Sequence, residues 1–314
     1  MKWKLDVPVS SSFDIKYEDN ILMLGSCFAE NMGQFLTDYK FNSVVNPFGI
    51  LYNPISISEG LERLIFNQNF EENDLFLHQE LYHSWMHHGR FSDVSKENAL
   101  SKIQTEFQEA QEKIEHLDVL ILTLGSAFVY EKNDTKRIVA NCHKVPNKQF
   151  TKRMLSVEEI KTSLEGILRK LLEKRPDLKI ILTVSPVRHI RDGIIKNNRS
   201  KASLLLAVQA LEEEFRNAVY FPSYEIQMDE LRNYRFYASD LVHLSEEAVR
   251  YIWEKFSNAF FNEKTQEILA EIKPIILGLQ HRPIHGNTIA NQKFQANLKR
   301  KIQEMEEKYS FLKF

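Results

Sequence analysis

Ser26 lies in the string ILMLGSCFAENMG, residues 21–33. An apolar run ends at Gly25, and Phe28, Met32, Phe35 and Leu36 then recur at helical spacing. The pattern predicts a buried strand, a turn at Ser26 and a helix. A hydroxyl at a strand's carboxyl end, opening a helix, sits beside N-terminal amides that favour developing negative charge. Open α/β sheets bind ligands at that edge. The same serine could equally be a plain helix cap. A second chemical pair lies far along, in ASDLVHLSEEAVRYIWEKF, residues 238–256. Asp240 and His243 are three apart, ahead of an amphipathic helix opened by Ser245. In a tight turn such residues share one side. Asp240 could then hold the His243 imidazole in one tautomer and leave its other nitrogen to take the Ser26 proton. The competing reading makes Asp240 a turn cap and His243 a surface residue.

The elements that must position these groups are short apolar runs alternating with helical stretches. Residues 21–25, 119–125, 179–186 and 219–226 read as strands buried on both faces, and 97–116, 156–174 and 200–217 as helices. The Ser-Val-Glu-Glu at 156–159 reads as a capping box. This alternation implies a parallel sheet with helices on both faces. After about Asn262 the character changes. Residues 263–279 read as one helix, 281–288 as a turn and 289–313 as a second, highly charged helix. That helix carries one apolar seam: Phe294, Leu298, Ile302, Met305, Tyr309 and Leu312. The seam predicts packing back on the domain, or else self-association. The expected division is residues 1–262 as the main domain and 263–314 as a helical extension.

Gly-x-Ser-x-Gly is absent at Ser26, so no α/β-hydrolase elbow is indicated. Nucleophile first, with Asp240-Leu241-Val242-His243 late, resembles the SGNH/GDSL hydrolases, whose last block reads D-x-x-H. Gly25-Ser26-Cys27-Phe28-Ala29, followed by Asn46-Pro47-Phe48-Gly49, resembles more narrowly the GSCFA family, over residues 20–260. The resemblance implies a flavodoxin-like three-layer αβα sandwich and a serine-dependent acyl-ester hydrolase, an esterase acting on a small-molecule or carbohydrate acyl ester. It implies Ser26, Asp240 and His243 as the triad, and an oxyanion hole from the Ser26 amide, Gly49 and an Asn. The third block is expected as Gly-x-Asn-Asp; here it reads Gly125-Ser126-Ala127, without the Asn. Asn141 is the first candidate to replace it, then Asn46 or the Ser126 hydroxyl.

Other residues could contact substrate: Cys27, His87, His88, Gly125, Ser126, His143, Arg188 and Lys201. Arg188, His189 and Arg191 follow a strand and could hold an anion or a sugar. Asn198, Ser200 and Lys201 are read as opening the next helix. Cys27 is read as a small buried hydrophobe rather than the nucleophile, and Cys142 beside His143 makes no useful dyad. His83 and His87, four apart, could meet on a helix face, but no HExxH or supporting carboxylate accompanies them, so no metal is expected. The mechanism needs no cofactor.

Composition narrows the rest. At 43% hydrophobic the 314-residue chain can build a core, and its net charge of −2 with pI near 6.6 argues against nucleic-acid or membrane partners. Two cysteines exclude a disulfide scaffold. With no apolar signal region and no membrane-length apolar run, a cytoplasmic protein is expected. Three rivals stand beside the esterase: an acyltransferase using the same triad, a non-catalytic carbohydrate- or protein-binding module, and an assembly protein joined through its terminal helices.

Overall fold

The computed structural model describes residues 5–281 and 288–314. Its centre is a parallel sheet of β1 (Ile21–Gly25), β2 (Ser43–Val45), β5 (Val119–Leu124), β9 (Lys179–Val184) and β10 (Ala218–Phe221). They are ordered β10-β9-β5-β1-β2. In register, Ile21 faces Val119 and Gly25 faces Thr123. The chain winds one way from β1 to β2, then back across the sheet from β5 to β10. Strand order therefore reverses between β1 and β5, and such a reversal leaves a ligand crevice at the carboxyl ends. Ser26 follows β1 and Gly125 follows β5, so both lie at those carboxyl ends.

Both sheet faces are buried because side chains alternate along each strand and helices cover both sides. Leu22, Leu24, Leu120, Leu122 and Leu182 face one core. It is closed by α2 (Pro54–Ile65), α3 (Lys96–Glu115), α4 (Val157–Lys174) and α5 (Ile194–Glu214). Ile21, Met23, Val119, Ile121 and Ile181 face the other. There the cover is α1 (Cys27–Asp38), α7 (Glu246–Phe260), α8 (Glu263–Gln280) and α9 (Ile289–Lys308). The expected three-layer αβα sandwich with a flavodoxin-like strand order and C-terminal helices is the fold observed. The capping box forms, with Ser156 and Glu159 exchanging bonds at the start of α4. On α9, Leu298 and Met305 are buried in the second core, as is Leu312 just beyond it, with Ile302 and Tyr309 against it. Most of the seam is thus used within the chain, while Phe294 stays 39% exposed. Of the expected turn, residues 282–287 lie outside the described residues.

Several elements differ from expectation. The strand read over 219–226 stops at Phe221. Pro222 follows without an amide hydrogen, and the chain turns into α6 (Ser223–Glu225) and a π-helical turn, Ile226–Glu230. The helix read from Ser200 begins at Ile194, so Ser200 and Lys201 lie within α5 rather than opening it. Its first turns escaped because Ile194 and Ile195 are exposed and break the apolar period. Two small antiparallel sheets lie apart from the main one: β3 (Leu75–His78) with β4 (Leu81–Ser84), and β6 (Phe128–Lys132) between β7 (Ile138–Val139) and β8 (Phe150–Met154). His83 is therefore on a strand and His87 in the following turn, not on one helix.

The β1–β5 crossing depends on Gly25, whose φ of +146° few side-chain-bearing residues adopt. A Cβ there would stand 2.1 Å from the Thr123 carbonyl oxygen. Gly25→Ala is expected to cost about 3 kcal/mol or more, through backbone strain and an unrelieved clash. A urea midpoint equal to that of the wild type would contradict this.

Candidate active site

Ser26 is the N-cap of α1 and is buried, 1% exposed. Its Oγ accepts from the Phe28 amide at 3.3 Å, as a cap does. Gly125 forms the facing wall. A Cβ on Gly125 would lie 3.1 Å from the Ser26 Cβ and 3.1 Å from the Tyr52 ring. The Gly125 and Ser126 amides both donate to the Tyr52 carbonyl, at 2.9 and 2.8 Å, which seats Tyr52 on this wall.

Asp240 and His243 share one turn ahead of α7. His243 Nδ1 lies 2.7 Å from Asp240 Oδ2, while Asp240 Oδ1 accepts from the Val242 and His243 amides at 2.9 and 3.0 Å. Leu241, at φ +57°, makes the turn tight enough. The His243 bond, then the two amides, hold the Asp240 carboxyl down at about 2. An ionised Asp240 accepts the Nδ1 hydrogen, leaving Nε2 as the basic nitrogen. Arg188 ties this turn to the loop after β9: its amide donates to Val242 O at 3.2 Å and its guanidinium to Leu241 O at 3.3 Å. Through that loop the turn sits on the same sheet edge as Ser26. Ser26 Oγ and His243 are not hydrogen-bonded to each other in this structure.

The donors available to an oxyanion differ from expectation. The Ser26 amide donates to Thr123 O at 3.1 Å, and the Gly49 amide to Asn46 O at 2.7 Å. Both are already engaged. Asn46 is different. It is buried, with φ +48°, and its Oδ1 accepts from the Gly25 amide at 2.8 Å. Its Nδ2 is buried without a partner among the described residues. The Gly25 bond fixes which end of the amide is oxygen, so a free donor is held against the residue that precedes Ser26. Arg90 and Gly49 both donate to Asn46 O and hold this conformation.

Two family models cover most of the chain: the GSCFA family over residues 20–256, and the GSCFA domain protein, C-terminal domain, over residues 272–314. The chain belongs to the GSCFA family. No curated protein matches it. Among solved structures it is similar to one described as a platelet activating factor from Streptococcus pneumonia, at 16% identity and a TM-score of 0.38. That match covers 77% of this chain and 83% of the other.

In this GSCFA chain the remaining candidates divide between crevice and core. Ala127 is fully buried in the first core, and its amide donates to Ser200 Oγ at 2.8 Å. A side chain there points into apolar packing, so the expected Asn would have served no crevice. The Ser126 hydroxyl accepts from the Phe128 amide at 3.1 Å and meets Ser200 Oγ at 3.4 Å. Asn141 Oδ1 caps the His143 amide at 2.9 Å, in a turn packed on Trp85. His143 Nε2 bonds the Ser84 carbonyl at 2.8 Å, and burial pushes its imidazole down to about 4. His87 is wholly buried among Phe48, Phe70 and Phe91, and burial pushes it down to about 3. It is a neutral core histidine, enclosed away from the crevice. His88 packs its Cβ where a Gly49 Cβ would lie, 2.3 Å away, and so shapes the Asn46–Gly49 loop. Cys27 is half-buried against the second core, and burial pushes its thiol up, as a packing residue requires. Arg188 also covers the Tyr237 ring, 4.1 Å from its centroid, so its charge is largely occupied in the turn.

Tyr52 went unnoticed in the sequence. Its signal was the Tyr-Asn-Pro string: Asn53 caps α2 and Pro54 opens it, which fixes the residue before the cap. His189 lies 6.3 Å from Tyr52, ring to ring, in the loop after β9. Among the described residues no helix is long and apolar enough to cross a membrane.

Proposed function

We propose that this GSCFA protein is a serine-dependent acyl-ester hydrolase of the SGNH type, acting on a small-molecule or carbohydrate acyl ester. The observation that carries the reading is the Asp240–His243 pair, bonded at 2.7 Å on the sheet edge that ends in Ser26. In this mechanism His243 Nε2 takes the Ser26 proton and Ser26 Oγ attacks the ester carbonyl. The alcohol leaves with a proton from His243, and water activated by the same imidazole releases the acid. In this mechanism Ser26 Oγ must leave its bond with the Phe28 amide to reach the imidazole.

The test is labelling by a fluorophosphonate probe, read by intact mass on the wild type, Ser26→Ala and His243→Ala. One adduct on the wild type, lost in Ser26→Ala and sharply slowed in His243→Ala, supports the reading. No adduct after long incubation turns the choice to the binding module. Acetate release from acetylated sugars then tests the substrate: turnover of longer acyl esters alone would reject the sugar ester.

Asp240 gives a second check. Its carboxyl lies below the ordinary 3.8, at about 2. Its contribution to the turn is therefore present above the ordinary value and lost as pH falls through about 2. NMR titration should place its midpoint near 2, and His243→Ala should raise it part of the way back, because two backbone amides remain. A midpoint that ignores His243→Ala would mean the pair does not form in solution.

A further inference from the structure

Lys201 is the one described lysine that is wholly enclosed: it is 1% exposed, on the inner face of α5. Its Nζ donates to Gly125 O at 2.7 Å and to Ser185 O at 2.5 Å. These carbonyls follow β5 and β9, the strands whose carboxyl ends floor the crevice. Among the described residues Lys201 forms no ion pair. An enclosed ammonium without a carboxylate is costly. A methionine would fill the same space without that cost, so packing alone does not account for a lysine.

We propose that Lys201 is a positioning residue of the Ser26 site, whose ammonium clamps the Gly125 wall and lends the crevice a positive charge for the anionic tetrahedral intermediate. The inference rests on the ester-hydrolase reading above. It adds to the one donor described above, Asn46 Nδ2: Ala127 supplies no side-chain donor, and the Ser26 and Gly49 amides are engaged. Gly125 abuts Ser26, so the clamp on its carbonyl sets the distance between wall and nucleophile. In the attack step the Ser26 proton passes to His243 Nε2, the new bond forms from Ser26 Oγ to carbon, and the carbonyl electron pair moves onto oxygen. Lys201 neither gives nor takes a proton; its charge stabilises the oxygen across the site.

The charge has a pH signature. Burial pulls the Lys201 amine down to about 7, opposed by Cys27. The titratable groups coupled to it are Cys27 from α1 and His189 from the loop after β9. Burial raises the Cys27 thiol and lowers the His189 imidazole, so both stay neutral through neutral pH. Rising pH therefore removes the Lys201 charge near 7 while leaving those neighbours unchanged, and the rate should fall on the alkaline side.

The experiment follows the rate of fluorophosphonate labelling from about pH 5 to 10, with kcat and KM for p-nitrophenyl acetate, on wild type, Lys201→Met and Lys201→Arg. The wild type should lose rate through an alkaline limb near pH 7. Lys201→Arg should carry that limb beyond about pH 9, because a guanidinium keeps its proton. Lys201→Met should show no such limb, with kcat lower by roughly tenfold at about pH 6.5 and KM within about twofold. A wild type that labels with a flat alkaline side overturns the proposal without any variant, even if Lys201→Met fails to fold. So does a Lys201→Met protein that keeps the wild-type limb. A wild type that takes no label at any pH sinks the hydrolase reading, and this inference with it.

Discussion

Ser26→Ala is expected to lower kcat for a simple ester by about 10⁴–10⁶-fold, with KM changed little. The size follows from the role proposed for the hydroxyl: it forms the covalent bond, and no neighbouring group can substitute. Cys27 is the nearest alternative nucleophile, but it lies on α1 against the second core and burial raises its thiol. His243→Ala should fall in the same range, because the serine proton then has no acceptor. The two losses should not add: Ser26→Ala with His243→Ala should be no slower than either alone, within about threefold, since residues of one relay act as a unit. The measurement is steady-state hydrolysis with burst amplitude, on variants whose circular dichroism and urea midpoints match the wild type. A Ser26→Ala protein within about tenfold of the wild type would reject Ser26 as nucleophile. Losses that multiply would mean that His243 acts on some other step.

The parts of the fold legible from sequence are those where local chemistry and burial agree. The apolar runs at 21–25, 119–125 and 179–186 read as strands covered on both faces, and they form the centre of the sheet. Ser156 and Glu159 wrote the start of α4 in full. The β3–β4 hairpin was not legible because its turn is built on Gln79 and Glu80, both at positive φ, where Asn-Gly would have been the signal. The start of α5 was hidden because its first turns expose isoleucines that tertiary context, not periodicity, tolerates. The same division runs through the site. Asp240 and His243 were readable because three residues of sequence bring them into one turn. The oxyanion donors were not, because which amides are free depends on their partners in the fold: Thr123 for Ser26, and Asn46 for Gly49. Order and residue type put Asn141 first; in the fold its Oδ1 caps the His143 amide, while Asn46 holds its side chain against Gly25. Lys201 read as a substrate contact because the sequence cannot show two carbonyls converging on it from β5 and β9.

Asn46→Asp should lower kcat by about 10²–10³-fold, a loss of roughly 2.7–4 kcal/mol of transition-state stabilisation, with KM within about threefold. The substitution keeps the acceptor that holds the Gly25 amide, and aspartate tolerates the left-handed backbone that Asn46 adopts. What it removes is the Nδ2 donor, which is buried without a partner among the described residues. A buried donor without a partner costs about 1–3 kcal/mol. On the proposed reading, a donor kept beside the nucleophile and pinned by bonds from Gly25, Gly49 and Arg90 is held for a charge that exists only during reaction. The variant carries its own control. As pH falls and the introduced carboxyl takes a proton, a donor returns, so the deficit relative to wild type should shrink toward acid pH. Asn141→Asp, by contrast, keeps the Oδ1 that caps His143 and should stay within about threefold of the wild type. A large loss at Asn141 with none at Asn46 would move the oxyanion site to the β7–β8 connection and overturn this assignment. A deficit at Asn46 that grows toward acid pH would trace the loss to a loop disturbed by the carboxylate, not to the missing donor.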